Sequence, residues 1–166
     1  MLTKANKKGE VMVSKALEEY LKTMYILKKQ KGNIRVTDIA EKMKCSKPSV
    51  NKALNVLKLN GLVNYETYGT IELTNEGENL AKKIIEAYDI VYLFLKDVLN
   101  LEEKNAKNEA EKIKSAISDD TINSLAKYVH KVLDLNNLDC NYDVNRESCR
   151  ICLRRTLGKS SKNNDV

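Results

Sequence analysis

The chain has 166 residues, of which 31% are charged and only 5% aromatic, and its formal net charge is +6. This length suits one domain, or a small domain with an appendage, in a well-solvated and largely helical protein. No apolar run is long enough to span a membrane and residues 1–10 lack the apolar core of a signal peptide, so we expect a cytoplasmic protein whose four cysteines are reduced thiols or metal ligands.

The first predicted helix covers residues 13–30, after a polar N-terminal segment that we expect to be loose. Its apolar residues recur at three- and four-residue steps, the period of an amphipathic helix. They are Leu17, Tyr20, Leu21, Met24, Tyr25 and Leu27. Gly32 and Asn33 are predicted to end the helix.

Residues 35–73 have the layout of a winged helix-turn-helix. Arg35 and Val36 are predicted to be extended, and Thr37 to be the N-cap of a short helix over residues 38–43. The next two residues fill the turn. Together these features predict the first half of the motif.

The second helix of the motif is predicted to start after Ser46, an N-cap, and to end near Asn60. Pro48 lies in its first turn, where a missing N–H is tolerated, and Gly61 is a typical helix stop. Its predicted inward face consists of Val50, Ala53, Leu54 and Leu57. Its predicted outward face consists of Ser46, Lys47, Ser49, Asn51, Lys52 and Asn55.

That outward face has the chemistry of a helix that enters the major groove of DNA. Small hydroxyl residues permit close approach, Asn can pair with adenine, and Lys can reach guanine or phosphate. Two short alternating segments, 62–66 and 70–73, follow and predict a β-hairpin wing with Tyr68 in its turn. Arg35, Thr37 and Tyr68 complete the predicted DNA-binding set.

The positive charge coincides with this motif. Residues 1–60 carry 14 Lys and Arg against 5 Asp and Glu, a net +9, whereas residues 61–134 carry −5 and residues 135–166 carry +2. A protein held by phosphates is expected to concentrate charge in this way. A Lys-rich solvated surface on a protein-interaction module is the alternative. An enzyme is not expected, since there is no Ser-His-Asp set, phosphate-binding loop or acid pair.

A long helix is predicted from residue 75 to residue 99, capped by Thr74, and its apolar band is too wide for one neighbour. We therefore expect part of it to contact another subunit. Two more helices are predicted, ending near Ile117 and Leu135. The fold class is mainly α, with a winged helix-turn-helix over 1–74, a helical dimerisation domain over 75–135, and a Cys-containing segment with a disordered tail over 136–166.

Residues 14–135 resemble the metal-dependent repressors typified by the diphtheria toxin repressor and the manganese transport regulator. The blocks that carry the resemblance are EEYLKTMYIL, RVTDIAEKM, SKPSVNKAL, GLVNYETYGTIELTNEG and NEAEKIKSAISDD. The resemblance implies a homodimer that places two recognition helices on a palindromic operator. It also implies DNA contacts at Ser46, Pro48, Ser49, Asn51 and Lys52.

In that family a divalent metal joins the first helix to the dimerisation helices. Carried over by resemblance, two positions keep a carboxylate, Glu19 and Glu111. The other positions lack the usual ligand: Lys22, Tyr88, Lys114, Ser115 and, at the auxiliary site, Tyr92 and Lys107. Because a hard or borderline dication needs several O or neutral N donors, we expect no Mn²⁺ or Fe²⁺ here. Lys22 and Lys114 are expected to pair with Glu111 and Glu19 and replace the charge of the cation, although drift at a discarded site is the alternative.

Three of the four cysteines cluster late in the chain, as Cys140, Cys149 and Cys152, ten residues or more after the single histidine, His130. A Cys-x-x-Cys pair allows two thiolates to chelate one ion, so these four residues predict a zinc site, or the cysteines an iron–sulfur cluster. A redox switch and a segment without any ligand are the alternatives. Cys45 is expected to be a small packed residue.

Overall fold

A computed structural model describes residues 13–66 and 70–133, together with the backbone of residues 142–143 and 148–149. The chain divides into two compact units, Met1–Lys82 and Lys83–Val166. The division falls inside the long helix that begins at Asn75. Among the described residues no helix combines the length and apolarity needed to cross a membrane.

The first unit begins with helix α1, Lys15–Lys31. The Oγ of Ser14 accepts a hydrogen bond from the backbone N–H of Leu17 at 3.4 Å, which satisfies one of the free donors of the first turn. Gly32 ends the helix with φ of 78°, as predicted. The apolar face of α1 is buried, with Leu21 and Met24 fully inaccessible to solvent.

Helix α2, Val36–Met43, begins earlier than predicted. Arg35 rather than Thr37 is the N-cap residue, it makes no side-chain cap bond, and Thr37 lies exposed in the first turn. The reason is that Ile34 forms a β-bridge with Ile71, so the extended segment ends there and the chain turns directly into the helix. This tertiary contact therefore overrides the preference of Thr37 for the N-cap position.

Helix α3, Lys47–Leu59, follows as the second helix of the motif. Ser46 caps it, Asn60 ends it and Gly61 has φ of 69°, all as predicted. The predicted inward face is buried, with Val50, Leu54 and Leu57 fully inaccessible. Leu62 and Val63 extend this core into the wing.

The wing is the antiparallel pair β1, Val63–Tyr65, and β2, Ile71–Leu73. Val63 pairs with Leu73 and Tyr65 with Ile71, and these four side chains are buried while those between them are exposed. The alternation is that of strands with one solvated face. The predicted turn residue Tyr68 lies outside the described residues.

Helix α4, Asn75–Leu93, starts in the first unit. Thr74 Oγ1 accepts from the N–H of Gly77 at 3.1 Å and donates to the carbonyl of Gly61 at 2.8 Å. Gly77 packs so closely on the wing that a Cβ there would lie 2.0 Å from the carbonyl oxygen of Leu62. The cap was predicted, but the close approach was not.

The prediction of one α-helix to residue 99 is wrong in its last turn. Phe94–Val98 forms a π-helical turn, closed by a 3.0 Å bond from the N–H of Leu99 to the carbonyl of Phe94. The wider turn lets Leu95 join the core with Ala106 and Ala110, while Phe94 and Val98 pack against the core that includes Ala126. Packing against two helices at once explains this rare geometry.

The second unit continues with α5, Glu103–Ile113, and α6, Asp119–Val132. Helix α5 is shorter than predicted: Ser115 donates its hydroxyl to the carbonyl of Glu111 at 3.2 Å, and the chain turns there. Ser118 caps α6, accepting from the N–H of Thr121 at 3.3 Å. Helix α6 ends at Val132, with Leu133 as its C-cap, slightly before the predicted end near Leu135.

A short antiparallel pair near the C-terminus completes the description: β3, Tyr142–Asp143, with β4, Ser148–Cys149. Only the backbone of these four residues is described. In the register of this pair, Cys149 lies opposite Tyr142.

Candidate nucleic-acid interface

The N-terminal half of α3 forms the candidate interface, which we call the recognition surface: Ser46, Lys47, Pro48, Ser49, Asn51 and Lys52. All of these except Asn51 are exposed, as was predicted for Ser46, Lys47, Ser49 and Lys52. The Oγ atoms of Ser46 and Ser49 lie 2.8 Å apart, and Ser46 Oγ also accepts from the N–H of Ser49 at 3.3 Å. The first turn is therefore ordered by its own side chains, while its outer side stays open to solvent.

The charge of α3 suits a polyanion. The helix contains Lys47, Lys52 and Lys58 and no acidic residue, and its first turn lacks the Asp or Glu that usually faces the positive end of a helix. Backbone N–H groups and positive side chains at a helix N-terminus bind phosphate groups well. No acidic side chain of the helix competes with an incoming phosphate for them.

The turn before α3 fixes the direction of this helix. Lys44 adopts the left-handed conformation, with φ of 52° and ψ of 44°, and its N–H bonds back to the end of α2. The N–H of Cys45 donates to the carbonyl of Ala40 at 3.0 Å. These bonds use the last carbonyls of α2, so the turn between the two helices is tight and hydrogen-bonded.

Cys45 also contacts α1, which was not predicted. Its Sγ lies 3.5 Å from the hydroxyl of Tyr20. This hydrogen bond, with a further contribution from burial, raises the pKa of Tyr20 to about 12. The phenol therefore stays protonated through the physiological range, and α1 supports the turn that precedes the recognition surface.

Asn51 departs from the expected outward orientation, since it is only half exposed. Its Oδ1 accepts a hydrogen bond of 3.1 Å from the hydroxyl of Tyr65, a buried residue of strand β1. Lys58 donates its Nζ to the backbone carbonyl of Tyr65 at 2.7 Å. The wing is thus bonded to α3 at two points. The sequence feature that could have predicted this contact is the alternation in β1, which places Tyr65 on the buried face of the strand.

The other predicted DNA-binding residues are placed less fully. Arg35 and Thr37 are both exposed at the start of α2. Tyr68 lies outside the part of the chain that the structure describes. The candidate interface therefore consists mainly of the recognition surface.

The positions assigned by resemblance to the family's metal site carry lysine ion pairs. In α1, Lys22 Nζ lies 2.8 Å from Glu19 Oε1. In α5, Glu111 Oε2 lies 3.0 Å from Nζ of Lys114, whose side chain is only 5% exposed. Each lysine thus pairs with the carboxylate three residues before it in the sequence, and the predicted pairing of Lys22 with Glu111 and of Lys114 with Glu19 stays a prediction.

Aromatic and ammonium groups occupy the remaining positions. Tyr88 and Tyr92 stack in parallel with ring centroids 6.0 Å apart. Lys107 is paired with Glu103, and Lys96 lies 5.9 Å from the centre of the Tyr92 ring. In residues 13–66 and 70–133 no three His, Cys, Asp or Glu side chains form a group that could hold a metal ion. The donor set does not fit a divalent cation.

The predicted C-terminal site lies largely outside the described residues, since the side chains of Cys140, Cys149 and Cys152 are not described. His130 is described: it belongs to α6 and is only 4% exposed. The zinc or iron–sulfur site therefore stays a prediction.

Two family models match the chain. The iron-dependent repressor N-terminal DNA-binding domain matches residues 12–71, and the iron-dependent repressor metal-binding and dimerisation domain matches residues 74–133. An uncharacterised helix-turn-helix transcriptional regulator of Methanocaldococcus jannaschii is 33% identical over 74% of this chain and 98% of its own length. The transcriptional regulator MntR of Lysinibacillus sphaericus is 30% identical over 71% of this chain and 84% of its own length.

Solved structures agree with these matches. The manganese regulator SloR is 31% identical, with a TM-score of 0.59, over 69% of this chain. A manganese-dependent transcriptional repressor in complex with manganese has the same fold at 22% identity, with a TM-score of 0.57. This chain spans about half of each of those two, 53% and 52% of their length.

Proposed function

This chain belongs to the iron-dependent repressor family, and we propose that it represses transcription as a homodimer bound to a palindromic operator. Members of the diphtheria toxin repressor and MntR type are metal-dependent DNA-binding transcriptional regulators concerned with metal homeostasis, not enzymes, and this chain is a regulator of that type. We propose four properties beyond the family: repression, a palindromic operator, a homodimer and a cytoplasmic location.

The recognition surface carries this proposal. Five of its six side chains are exposed, they are small, polar or basic, and the helix that bears them has no acidic residue. Serine hydroxyls, lysine ammonium groups and an asparagine amide can contact phosphates and base edges. A dimer would present two such helices about one turn of DNA apart, which requires two inverted half-sites.

Selection from random-sequence duplexes tests the proposal. We expect the full chain to enrich an inverted repeat with half-sites about 10 base pairs apart. Lys47→Ala and Lys52→Ala should each lower affinity for all duplexes and reduce the slope of log affinity against log salt by about 1. Lys104→Ala, at an exposed position of α5, is the matched control and should change neither.

A scaffold protein with a winged helix would give the opposite result. It would enrich no sequence and show no steep salt dependence, and Lys52→Ala would behave like Lys104→Ala. The lack of a steep salt dependence would by itself count against a DNA-binding role, because phosphate contacts necessarily release counterions.

We propose further that the family's manganese or iron site is lost in this chain. The support is chemical: the described carboxylates at these positions, Glu19 and Glu111, each have a lysine ammonium within 3.0 Å. A dication at these carboxylates would be repelled by both lysines. The regulator then binds DNA without this metal, held by the charge that the lysines supply.

Calorimetry with Mn²⁺ and with Fe²⁺ under anaerobic conditions tests the loss of this site. We expect no micromolar binding that depends on Glu19, and DNA affinity that is unchanged by a chelator. Micromolar binding that disappears in Glu19→Ala would overturn the proposal. The variant Glu18→Ala, one position away on α1, controls for the loss of a nearby carboxylate.

The C-terminal cysteines support a second candidate function, in which the regulator responds to a signal at these residues. The signal would be a metal, an iron–sulfur cluster or a redox change. The supporting observation is the β3–β4 register, in which Cys149 pairs with Tyr142, two residues after Cys140 in the sequence. Zinc, iron and sulfide analysis of anaerobically purified protein, with a count of free thiols before and after oxidation and reduction, tests it. A metal content below about one tenth of an equivalent, with reversible oxidation also absent, would remove this candidate.

A further inference from the structure

Tyr65 joins the wing to α3 through both its side chain and its backbone. Its hydroxyl donates to Asn51 Oδ1 at 3.1 Å, and its carbonyl accepts from Lys58 Nζ at 2.7 Å. Asn51 and Lys58 are seven residues apart, about two helical turns, and therefore lie on the same side of α3. Tyr65 is only 7% exposed, so its ring has little room to move and its hydroxyl stays beside Asn51.

This contact gives the amide of Asn51 a direction. A carboxamide has an acceptor end, its oxygen, and a donor end, its NH₂ group, and a solvated Asn can present either by rotating about its last torsion. The hydroxyl of Tyr65 engages the oxygen. The NH₂ group is then left for a partner outside the protein.

The direction of the amide matters for base recognition. In the major groove, guanine N7 and O6, adenine N7 and thymine O4 are acceptors, whereas the cytosine N4 amino group is a donor. An NH₂ group held outward can bond to any of these acceptors. It cannot bond to the N4 amino group of cytosine, which is itself a donor. An amide that is free to rotate can turn its oxygen to cytosine and discriminates less.

We propose that Tyr65 is a positioning residue that directs the NH₂ group of Asn51 towards DNA, so that Asn51 selects a base edge bearing a hydrogen-bond acceptor and disfavours cytosine. This inference rests on the proposed DNA-binding function. It assigns a specificity role to a buried residue of the wing.

The test is Tyr65→Phe, which removes the hydroxyl and keeps the buried ring. In the free protein, ¹⁵N relaxation of the Asn51 side-chain NH₂ should show greater mobility in Tyr65→Phe than in the natural chain. Tyr20→Phe is the matched control, because it removes another phenol hydroxyl of the first unit, one bonded to Cys45 instead. Equal order of the Asn51 NH₂ in the natural chain and in Tyr65→Phe would overturn the proposal without any DNA.

A double-mutant cycle supplies the functional measurement. With the selected duplex, Tyr65→Phe should reduce discrimination against cytosine at one position of each half-site by about tenfold. In an Asn51→Ala background the same substitution should have no effect on that discrimination. If Tyr65→Phe has an equal effect in both backgrounds, its action does not pass through Asn51 and the proposal fails.

The two measurements separate the possible failures. If the natural chain selects no duplex, the proposed DNA-binding function is wrong, and the relaxation measurement still decides whether Tyr65 orders the amide. Thermal unfolding of Tyr65→Phe confirms that any loss of discrimination comes from a folded protein.

Discussion

Of the glycines that the structure describes, Gly77 has the least room for a side chain. A Cβ at this position would lie 2.0 Å from the carbonyl oxygen of Leu62, which also accepts the N–H of Thr74 at 3.1 Å. Because the obstacle is backbone rather than the end of a flexible side chain, it cannot move away cheaply. The glycine is needed here for space, since its φ is not positive.

Replacing Gly77 by alanine should therefore destabilise the protein although alanine favours helix. We expect Gly77→Ala to lower the free energy of unfolding by about 2–3 kcal/mol, the cost of overpacking. Urea denaturation followed by circular dichroism measures it. Asn79→Ala, at an exposed position in the same helix, should change the free energy by less than about 0.5 kcal/mol. Equal midpoints for the two variants would contradict the clash.

Among the elements, α1 and the first turn of α4 are joined by an ion pair. Lys28 in α1 donates to Oε1 of Glu78 in α4. This hydrogen bond, more than the charge of the nearby lysines, holds the pKa of Glu78 below its ordinary 4.5. A carboxylate whose pKa is lowered on folding stabilises the folded state above its ordinary pKa, and this stabilisation is lost as the pH falls through the folded value.

The pH dependence of the variant Glu78→Gln should show this contribution. At pH 7 we expect it to unfold with about 1 kcal/mol less free energy than the natural chain. The difference should shrink as the pH falls below 4.5, because the carboxylate of Glu78 in the natural chain is then progressively protonated and loses its ion pair with Lys28. Glu76→Gln removes an exposed carboxylate from the same turn and serves as the control. A difference that persists unchanged at low pH would refute the ion-pair explanation.

Elements built from local signals were predictable, and those decided by packing were not. Ser46, Gly61 and Thr74 behave as predicted because caps depend on neighbouring backbone groups. The early start of α2 depends on the bridge from Ile34 to Ile71, 37 positions apart in the sequence.

The candidate site follows the same division. Exposure of the recognition surface follows from helical periodicity, which places its residues opposite Val50 and Leu54. The orientation of Asn51 could not be predicted, because it depends on the distance between α3 and a strand 14 residues later. The Tyr20–Cys45 contact, 25 residues apart, was missed for the same reason.

At the scale of the whole molecule, the second unit has large apolar side chains that stay exposed in the part of the chain that the structure describes. Tyr128 is 52% and Val132 48% exposed, and they lie one turn apart on the same side of α6. The ring of Tyr128 also meets that of Phe94 edge to face, with centroids 6.4 Å apart. Contact with a second copy would remove this surface from water.

Introducing charge there should weaken the proposed homodimer. We expect Tyr128→Glu and Val132→Glu each to raise the dimer dissociation constant about tenfold or more, as measured by sedimentation equilibrium. Leu59→Glu is the matched control, since Leu59 is 87% exposed but lies in the first unit. If all three variants behave alike, this side of α6 is not the interface.

The two bonds made by Tyr65 bear on how DNA specificity could be transplanted. A chimera that receives α3 alone would carry Asn51 and Lys58 but leave behind the hydroxyl and the carbonyl to which they are bonded. The smallest segment that could be exchanged with these bonds intact is therefore α3 together with strand β1. A chimera that exchanges only α3 would have the donor protein's side chains but not its orientation of Asn51.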